Sequence, residues 1–384
     1  MAVRAAVCAQ LEKPLEVREL VLEPPRAGEV AVRIAAAGIC ASDASVSTGA
    51  LPSPLPIVLG HEAAGVVEAV GPGVESVAVG DRVAVAAMPQ CGACYRCTRG
   101  QPGLCEQGDG VLLSGALMDG TTRWRTADGV AVAQFVAAGT FAERVVVPAI
   151  SVVGIGADMP FAPAALLGCA ALTGVGAALN TAAIRPGGTV AVIGCGSVGL
   201  MAIQGARIAG AGRILAVDLV PSKLEIARRV GATDTLAAGE VDVLAAVKDL
   251  TAGRGTDTTI EAAGLQLTVD QAIRMTGKGG EVVLVGAGGP DVRINLPQFT
   301  GLVGSAKTLK GCLFGSADVH RDIPRLVEHY RTGALLLDEL VTRSFSLDEI
   351  NEGLAAVSAG EVVSAVVTFG PAPDGPSFET EERA

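Results

Sequence analysis

The sequence predicts an α/β protein in which a doubly wound parallel sheet is inserted between two parts of a β-rich domain, and three observations carry that expectation. Over residues 2–149, short apolar runs such as EVAVRIAAAGIC, LGHEAAGVVEAVG and GDRVAVAAM are broken by glycine and proline, the texture of closely spaced strands. From about residue 171, strand-like runs alternate with helix-like runs, a pattern that buries a parallel sheet between helices. The length of 384 residues exceeds what one hydrophobic core usually organises, so two domains are expected.

The opening MAVRAAVCAQLEKPLEV reads as a strand and lacks the long apolar stretch of a secretory leader, so a cytoplasmic setting is expected. GPGV at 71–74 marks a turn between two strands. Residues 106–140 have mixed polarity and several glycines and read as a long loop. TVAVIGCGSVGLMAIQGARIAGAGRILAVDLVPSKLEIARRVGAT then reads as strand, glycine turn, helix, strand, turn, helix. DTTIEAAG (strand), QLTVDQAIRMTGKG (helix) and EVVLVGAGG (strand) extend the series. After about residue 312 the texture is mixed again. HRDIPRLVEHYRTG and SLDEINEGLAAVSAG have amphipathic helical spacing, and VVSAVVTFG closes as a strand. The expected domains are therefore 1–170 together with 314–370, and 171–313 between them. The tail 371–384, PAPDGPSFETEERA, is proline-rich and charged and reads as disordered.

Composition excludes several function classes. Apolar content is 50% and aromatic content 3%, with Gly, Ala and Val dominant, which suits closely packed parallel α/β structure. No run of about 18 apolar residues is present, so no membrane partner is expected. A net charge of −11 argues against a nucleic-acid backbone as partner.

Cys91, Cys94, Cys97 and Cys105 form C-x2-C-x2-C-x7-C within a turn-rich lobe, residues 88–106. Four thiolates fill the tetrahedron of a zinc ion and leave no open position, so such a site is structural. Paired disulfides or unrelated loop thiols are the alternative. In a reducing compartment, clustered cysteines read as metal ligands instead.

Gly194, Gly196 and Gly199 form G-x-G-x-x-G directly after the strand TVAVI and at the opening of a helix. In a chain with 50 glycines the motif alone is weak, but its context and Asp218 at the end of the next strand make it a Rossmann dinucleotide site. The first glycine makes the tight turn, the second lets the backbone approach the pyrophosphate, and the third lets helix and strand pack closely. Asp218 is suited to accept from the adenosine ribose hydroxyls and repels a 2′-phosphate, which favours NAD over NADP. Lys223 either touches the ribose or is an exposed helix lysine.

Histidine occurs only at His61, His320 and His329. The last two lie in a polar helical stretch and read as surface residues. His61 sits in LGHEAAG within the β-rich region, and two cysteines outside the lobe, Cys40 in AAGICASD and Cys169 in LLGCAALTG, stand at plausible junctions. Cys, His and Cys are three ligands that leave zinc an open fourth position, as catalysis requires. The alternative is that both cysteines are buried small hydrophobes, the commoner fate of a free thiol. Cys8, Cys195 and Cys312 read as core residues.

Together, GHEAAGVVEAVGPGV, the four-cysteine lobe, LLGCAALTG and the glycine motif with its aspartate resemble the zinc-dependent medium-chain alcohol dehydrogenases, over nearly all of the chain to about residue 370. The long loop after the lobe resembles the dimeric branch. The resemblance implies a Rossmann domain inserted in a GroES-like catalytic domain, two zinc ions per chain, NAD, and a homodimer acting on small alcohols and aldehydes. It implies Cys40, His61 and Cys169 as catalytic zinc ligands, with Glu62 assisting ligand exchange and Asp43 orienting the imidazole. It implies Ser42 as the hydroxyl that contacts the alcohol and starts the proton relay. Thr173 and Val198 match positions flanking the nicotinamide, and Lys223 matches a ribose contact. Leu51, Ala87 and Phe135 match the substrate pocket.

There are departures. Ala41 and Ser364 stand where basic residues contact the pyrophosphate, so cofactor affinity or release is expected to differ. Ser45 stands where a histidine often completes the relay, so the proton is expected to leave by serine, ribose and water. Small Ala87 and Ser42 imply room for a bulky primary, aromatic or terpenoid alcohol, and apolar Leu51 ranks a thiol-conjugate formaldehyde dehydrogenase lower. The expected reaction is zinc-assisted hydride transfer from alcohol to NAD, with Ser42 taking the hydroxyl proton. A nicotinoprotein, in which NAD(H) never leaves, and a non-catalytic cofactor-binding relative are the competing readings.

Overall fold

The computed structural model describes residues 1–182 and 184–370, so the expectation for the tail lies outside the described residues. Two compact units are present: Met1–Cys169 with Asp318–Glu328 and Leu340 onward, and Ala170–Ala317 with His329–Glu339. The chain forms β1 (Ala2–Cys8), β2 (Glu16–Leu22), β3 (Glu29–Ile39), α1 (Ala41–Ser47), β4 (Ile57–Val58), β5 (Ala63–Val70), β6 (Arg82–Val85), α2 (Glu106–Val111), β7 (Trp124–Arg125), β8 (Ala131–Gln134), β9 (Arg144–Pro148) and β10 (Val152–Gly154). Next come α3 (Phe161–Ala165), α4 (Ala170–Gly176), β11 (Thr189–Ile193), α5 (Ser197–Ile208), β12 (Arg213–Asp218), α6 (Pro221–Val230), β13 (Asp234–Ala237), α7 (Val243–Leu250) and β14 (Thr256–Glu261). The series ends with α8 (Gln266–Met275), β15 (Thr276–Leu284), β16 (Thr308–Gly311), α9 (Val319–Arg331), β17 (Val341–Phe345), α10 (Ile350–Ser358) and β18 (Ser364–Thr368).

In the first unit β3 is the spine. One edge pairs with β5, while the other pairs with β9 near its start and β18 near its end. Nearly every residue of EVAVRIAAAGI is buried, so the strand reads as a continuous apolar run rather than an alternation. A seven-stranded sheet, β10-β6-β5-β3-β18-β17 with β9 on β3, lies beside a closed barrel, β1-β2-β7-β8-β4.

Residues 106–140 differ from the expected loop. They carry α2, and β7 and β8 complete the barrel through β2 and β4. These strands of two and four residues are too short for alternation to stand out, and their partners are remote in sequence. Burial of Trp124 and Val132 holds them. The same region contributes Arg123, fully buried, whose guanidinium grips both carboxylate oxygens of Glu29 on β3 and donates to Asp119 at 2.7 Å.

The second unit is a six-stranded parallel sheet in the order β13-β12-β11-β14-β15-β16. The chain starts at β11 and winds outward in both directions, so the strand order reverses between β11 and β14. Ile193, Leu215, Val217, Val243, Val247 and Ile273 fill the space between strands and helices. The strand TDTTIE buries hydroxyls as well: Thr256, Thr259 and Thr276 form a chain of hydrogen bonds at 2.7 and 2.6 Å that satisfies each of them. Among the described residues no single helix is long and apolar enough to cross a membrane.

The Arg123–Glu29 pair yields a stability prediction. Arg123→Ala leaves a buried carboxylate short of its partner and is expected to cost about 3–5 kcal/mol in urea unfolding. The double change Arg123→Met with Glu29→Leu should cost clearly less than the single one, because no buried charge is left alone.

Candidate zinc and dinucleotide sites

Cys40, His61 and Cys169, all in the first unit, come from three chain segments. Cys40 follows β3 and caps the N-terminus of α1. His61 follows Gly60 on the way into β5. Gly60 has φ +87°, and a Cβ there would lie 2.6 Å from the Phe141 backbone nitrogen, so only glycine lets the turn close. Cys169 sits between a short turn, Leu166–Gly168, and α4, where a Cβ at Gly168 would lie 2.0 Å from the Val85 carbonyl oxygen. The glycines before His61 and Cys169 therefore let backbones approach and bring the side chains together.

The donor atoms of Cys40, His61 and Cys169 lie within 4.8 Å of one another. Tetrahedral zinc with sulfur at about 2.3 Å and nitrogen at about 2.0 Å requires ligand–ligand edges of roughly 3.5–3.8 Å, so the set fits a zinc ion. Asp43, fully buried, organises it. Its Oδ2 accepts from the Cys40 backbone at 3.1 Å, and its Oδ1 accepts from the Gly60 backbone at 2.9 Å and faces His61 Nδ1 at 3.2 Å. With Nδ1 occupied, Nε2 is the nitrogen left to bind a metal.

The electrostatics follow from this packing. A hydrogen bond from Cys169 holds the Cys40 thiol well below its ordinary value against the opposing effect of burial, with further help from His61. The shared hydrogen bond with Cys40, then burial, then the charges of Cys40, Glu62 and Asp43 push Cys169 up. Burial pulls His61 towards neutral, but the Asp43 charge and hydrogen bond, with Cys40, outweigh it and hold the imidazole above its ordinary value.

The neighbours vary in how closely they join the set. Glu62 is buried beside His61, and Gly38 makes room for it, since a Cβ there would lie 2.4 Å from Glu62 Oε1. Ser42 Oγ lies 3.6 Å from Cys40 Sγ and accepts its hydrogen bond. Ala87 is buried, and its backbone donates to the Gly168 carbonyl, which places it next to Cys169. Phe135 stands edge-on to the His61 ring at 5.3 Å. Leu51 is tied to α1 through the Ser45 carbonyl and is half-buried. Ser45 Oγ is turned back onto the Ala41 carbonyl at 3.0 Å. Ala41 is exposed, and Ser364 opens β18 as a buried residue.

Sequence reasoning missed what holds Phe135. Val136 and Ala137 have φ of 52° and 53°, left-handed positions that β-branched valine rarely adopts. The buried Gln134 amide spans the turn, donating to the carbonyls of Ala138 at 3.3 Å and Val146 at 3.1 Å. The one available signal was a glutamine in an otherwise apolar run, AVAQFVAAG.

The lobe cysteines Cys91, Cys94, Cys97 and Cys105 also have sulfurs within 4.8 Å of one another. Cys105 lies 3.5 Å from Cys91 and 4.0 Å from Cys94, distances that bracket a zinc tetrahedron edge of about 3.8 Å. Backbone N–H groups of Cys91 and Cys94 point at the sulfurs of Cys105 and Cys91. The backbone amides of Cys97 and Glu106 bring Cys94 down to about 6, while burial and its neighbouring sulfurs push Cys97 up to about 12.

In the second unit, Gly194 has φ +91°, and a Cβ at Gly199 would lie 1.7 Å from the Gly194 carbonyl oxygen. A Cβ at Gly196 would meet nothing within 4 Å, so that face of the turn is open for a ligand backed by the N-terminus of α5. Asp218, at the end of β12, accepts from the Cys195 backbone at 2.6 Å and the Val220 backbone at 2.8 Å. Thr173 on α4 and Val198 on α5 lie on two helices in close contact, where a Cβ at Gly174 would come 2.3 Å from the Val198 carbonyl oxygen. Lys223 is half-buried near the start of α6. Cys8 and Cys195 are core residues, whereas Cys312 is half-buried and accepts from Thr181 Oγ1 at 3.1 Å. His320 is exposed and His329 half-buried.

A Cys-His-Cys donor set in one unit and a glycine turn on a parallel sheet in the other define the class of zinc-binding, dinucleotide-linked dehydrogenases. Residues 26–157 match the alcohol dehydrogenase GroES-like domain and residues 197–331 the zinc-binding dehydrogenase domain. The chain is 39% identical over 370 residues to the NDMA-dependent alcohol dehydrogenase of Amycolatopsis methanolica, covering 96% of this chain and 99% of that protein. It is 37% identical over 378 residues to the class-3 alcohol dehydrogenase of Cereibacter sphaeroides, covering 96% and 100%. The benzyl alcohol dehydrogenase structure from Acinetobacter calcoaceticus superposes with a TM-score of 0.91 at 32% identity, covering 96% of this chain and 100% of that one. The chain therefore belongs to the zinc-dependent medium-chain alcohol dehydrogenase family.

Removing the carboxylate behind the ligands should loosen the metal. Asp43→Asn is expected to lower zinc affinity at the Cys40, His61 and Cys169 set by roughly 10–100-fold, read by competition with a chromogenic chelator. Cys97→Ala should act elsewhere: it empties a closed site and lowers the melting temperature before it changes alcohol turnover.

Proposed function

We propose that this zinc- and NAD-linked alcohol dehydrogenase acts on bulky primary alcohols, aromatic or terpenoid, and reduces the matching aldehydes in reverse. The observation that carries the substrate class is the wall of the metal set, where small Ala87 adjoins Cys169 and the Phe135 ring stands edge-on to His61. The name of the benzyl alcohol dehydrogenase relative is consistent with an aromatic substrate.

In this reading Cys40, His61 and Cys169 hold the catalytic zinc and the four lobe cysteines hold the structural one. The first unit is the catalytic domain, and the second carries NAD at Gly194, Gly196 and Gly199. When bound, zinc supplies the Lewis acidity that makes an alcohol hydroxyl acidic at neutral pH, and NAD supplies the hydride acceptor. Two thiolates balance the charge of the metal. Asp43 fixes the His61 tautomer, and Glu62 assists exchange at the open position. Ser42 Oγ takes the hydroxyl proton. The Ser45 hydroxyl donates to the Ala41 carbonyl, and Ser42 is the hydroxyl we assign to the proton. Asp218, Lys223, Thr173 and Val198 receive the ribose and nicotinamide ends of NAD. Neither exposed Ala41 nor buried Ser364 carries a positive charge, and binding of the pyrophosphate rests on the open face at Gly196.

We also read the chain as a cytoplasmic homodimer. The dimer is supported by the edge of β16, unpaired among the described residues, and by Ile294, Phe299 and Val303, each more than half exposed on the same unit. A second reading is that NAD(H) stays bound and hydride passes onward to a second small molecule; the name of the NDMA-dependent relative is consistent with it.

Purified protein given NAD and ethanol, hexanol, benzyl, cinnamyl and geranyl alcohols should produce NADH fastest with the last three. A flat trace, together with NADH absorbance retained through purification, decides for the second reading. Ser42→Ala should lower kcat by roughly 100-fold or more while zinc content and NADH binding hold, and wild-type turnover would remove Ser42 from the relay. Asp218→Gly should move the kcat/KM ratio toward NADP, and an unchanged ratio would sink the ribose assignment.

A further inference from the structure

The second unit buries a carboxylate that no step above uses. Glu261 is fully buried, ends β14 and pairs with Ile193 of β11, where the strand order reverses. Open parallel sheets bind ligands in the crevice outside that point. Glu261 Oε1 accepts three hydrogen bonds at 2.8 Å, from the backbone of Ala263, the backbone of Gly264 and Thr268 Oγ1 in the first turn of α8. Its main-chain oxygen accepts from Val285 at 2.8 Å and Gly286 at 3.0 Å, just beyond β15. One residue thus ties together the loop after β14, the start of α8 and the loop after β15.

The loops so tied are in close backbone contact. A Cβ at Gly286 would lie 2.2 Å from the Gly264 nitrogen and 2.8 Å from Glu261 Oε2, and a Cβ at Gly264 would lie 2.9 Å from the Ala287 carbonyl carbon. The same segment borders the glycine turn: the Ala262 backbone donates to the Ile193 carbonyl at 2.9 Å, and a Cβ at Gly194 would meet Ala263 at 3.2 Å. Glu261 Oε2, by contrast, has no hydrogen-bond partner among the described residues. A buried acceptor without a donor opposes folding, and such groups persist where something other than stability retains them.

We propose that Glu261 is a positioning residue for the dinucleotide, clamping 262–268 and 285–286 into the shape that admits NAD and so setting its affinity and release. The proposal rests on reading Gly194, Gly196 and Gly199 as the dinucleotide site. Glu261 acts through hydrogen bonds to these loops.

The test uses full-length zinc-loaded protein and three variants, Glu261→Ala, Glu261→Gln and Thr268→Val. NADH affinity and release are followed by stopped-flow fluorescence, with melting temperature and zinc content measured alongside. Glu261→Ala should weaken NADH binding and speed its release by roughly tenfold or more. Glu261→Gln keeps an amide oxygen for all three donors and should stay within about threefold of wild type. Thr268→Val removes one donor and should fall between them, and it decides the matter if Glu261→Ala does not fold. Wild-type NADH affinity and release in Glu261→Ala or Thr268→Val, with only a lowered melting temperature, would overturn the proposal and leave a structural role. Equal losses in the Gln and Ala variants would overturn it in favour of a charge effect. A wild-type protein that neither binds added NADH nor retains it through purification overturns the dinucleotide reading itself.

Discussion

A single buried carboxylate, Asp43, ties together the segments that carry Cys40 and His61. It accepts from the Cys40 backbone and the Gly60 backbone and faces the His61 ring, so the end of β3, the first turn of α1 and the entry into β5 converge on two oxygen atoms. A carboxylate with no exposure to solvent is costly unless its hydrogen bonds are made. The requirement runs both ways: the donors need Asp43 to place them, and Asp43 needs the donors to offset the cost of its burial.

Around that centre, glycine rather than aromatic bulk makes the close approaches. Gly60 faces Phe141, Gly168 faces Val85 and Gly38 faces Glu62, and each contact excludes a Cβ. The second unit repeats the device where Gly199 meets Gly194 and Gly174 meets Val198. In a chain with 50 glycines and few aromatics, these positions let backbone approach its neighbours where a Cβ would clash.

The parallel sheet, the lobe and the glycine turn were legible because each is encoded locally. Alternating strand and helix texture, C-x2-C-x2-C and G-x-G-x-x-G all fit within a window of sequence. The set of Cys40, His61 and Cys169 was not legible from spacing alone. Its members are far apart in the chain, and the resemblance of LGHEAAG and LLGCAALTG to a known family supplied what periodicity could not. The barrel strands β7 and β8 escaped because two to four residues carry no readable period and pair with strands remote in sequence. The Gln134 brace and the left-handed backbone at Val136 and Ala137 escaped for a different reason: nothing in the identity of a valine or an alanine announces φ above zero.

That left-handed pair has a consequence for how the enzyme can change. Each non-glycine residue held there stores about 1–3 kcal/mol of conformational strain. Glycine at either position would relax the backbone and let Phe135 drift from His61. Stability and a fixed Phe135–His61 contact therefore make opposite demands on these two positions.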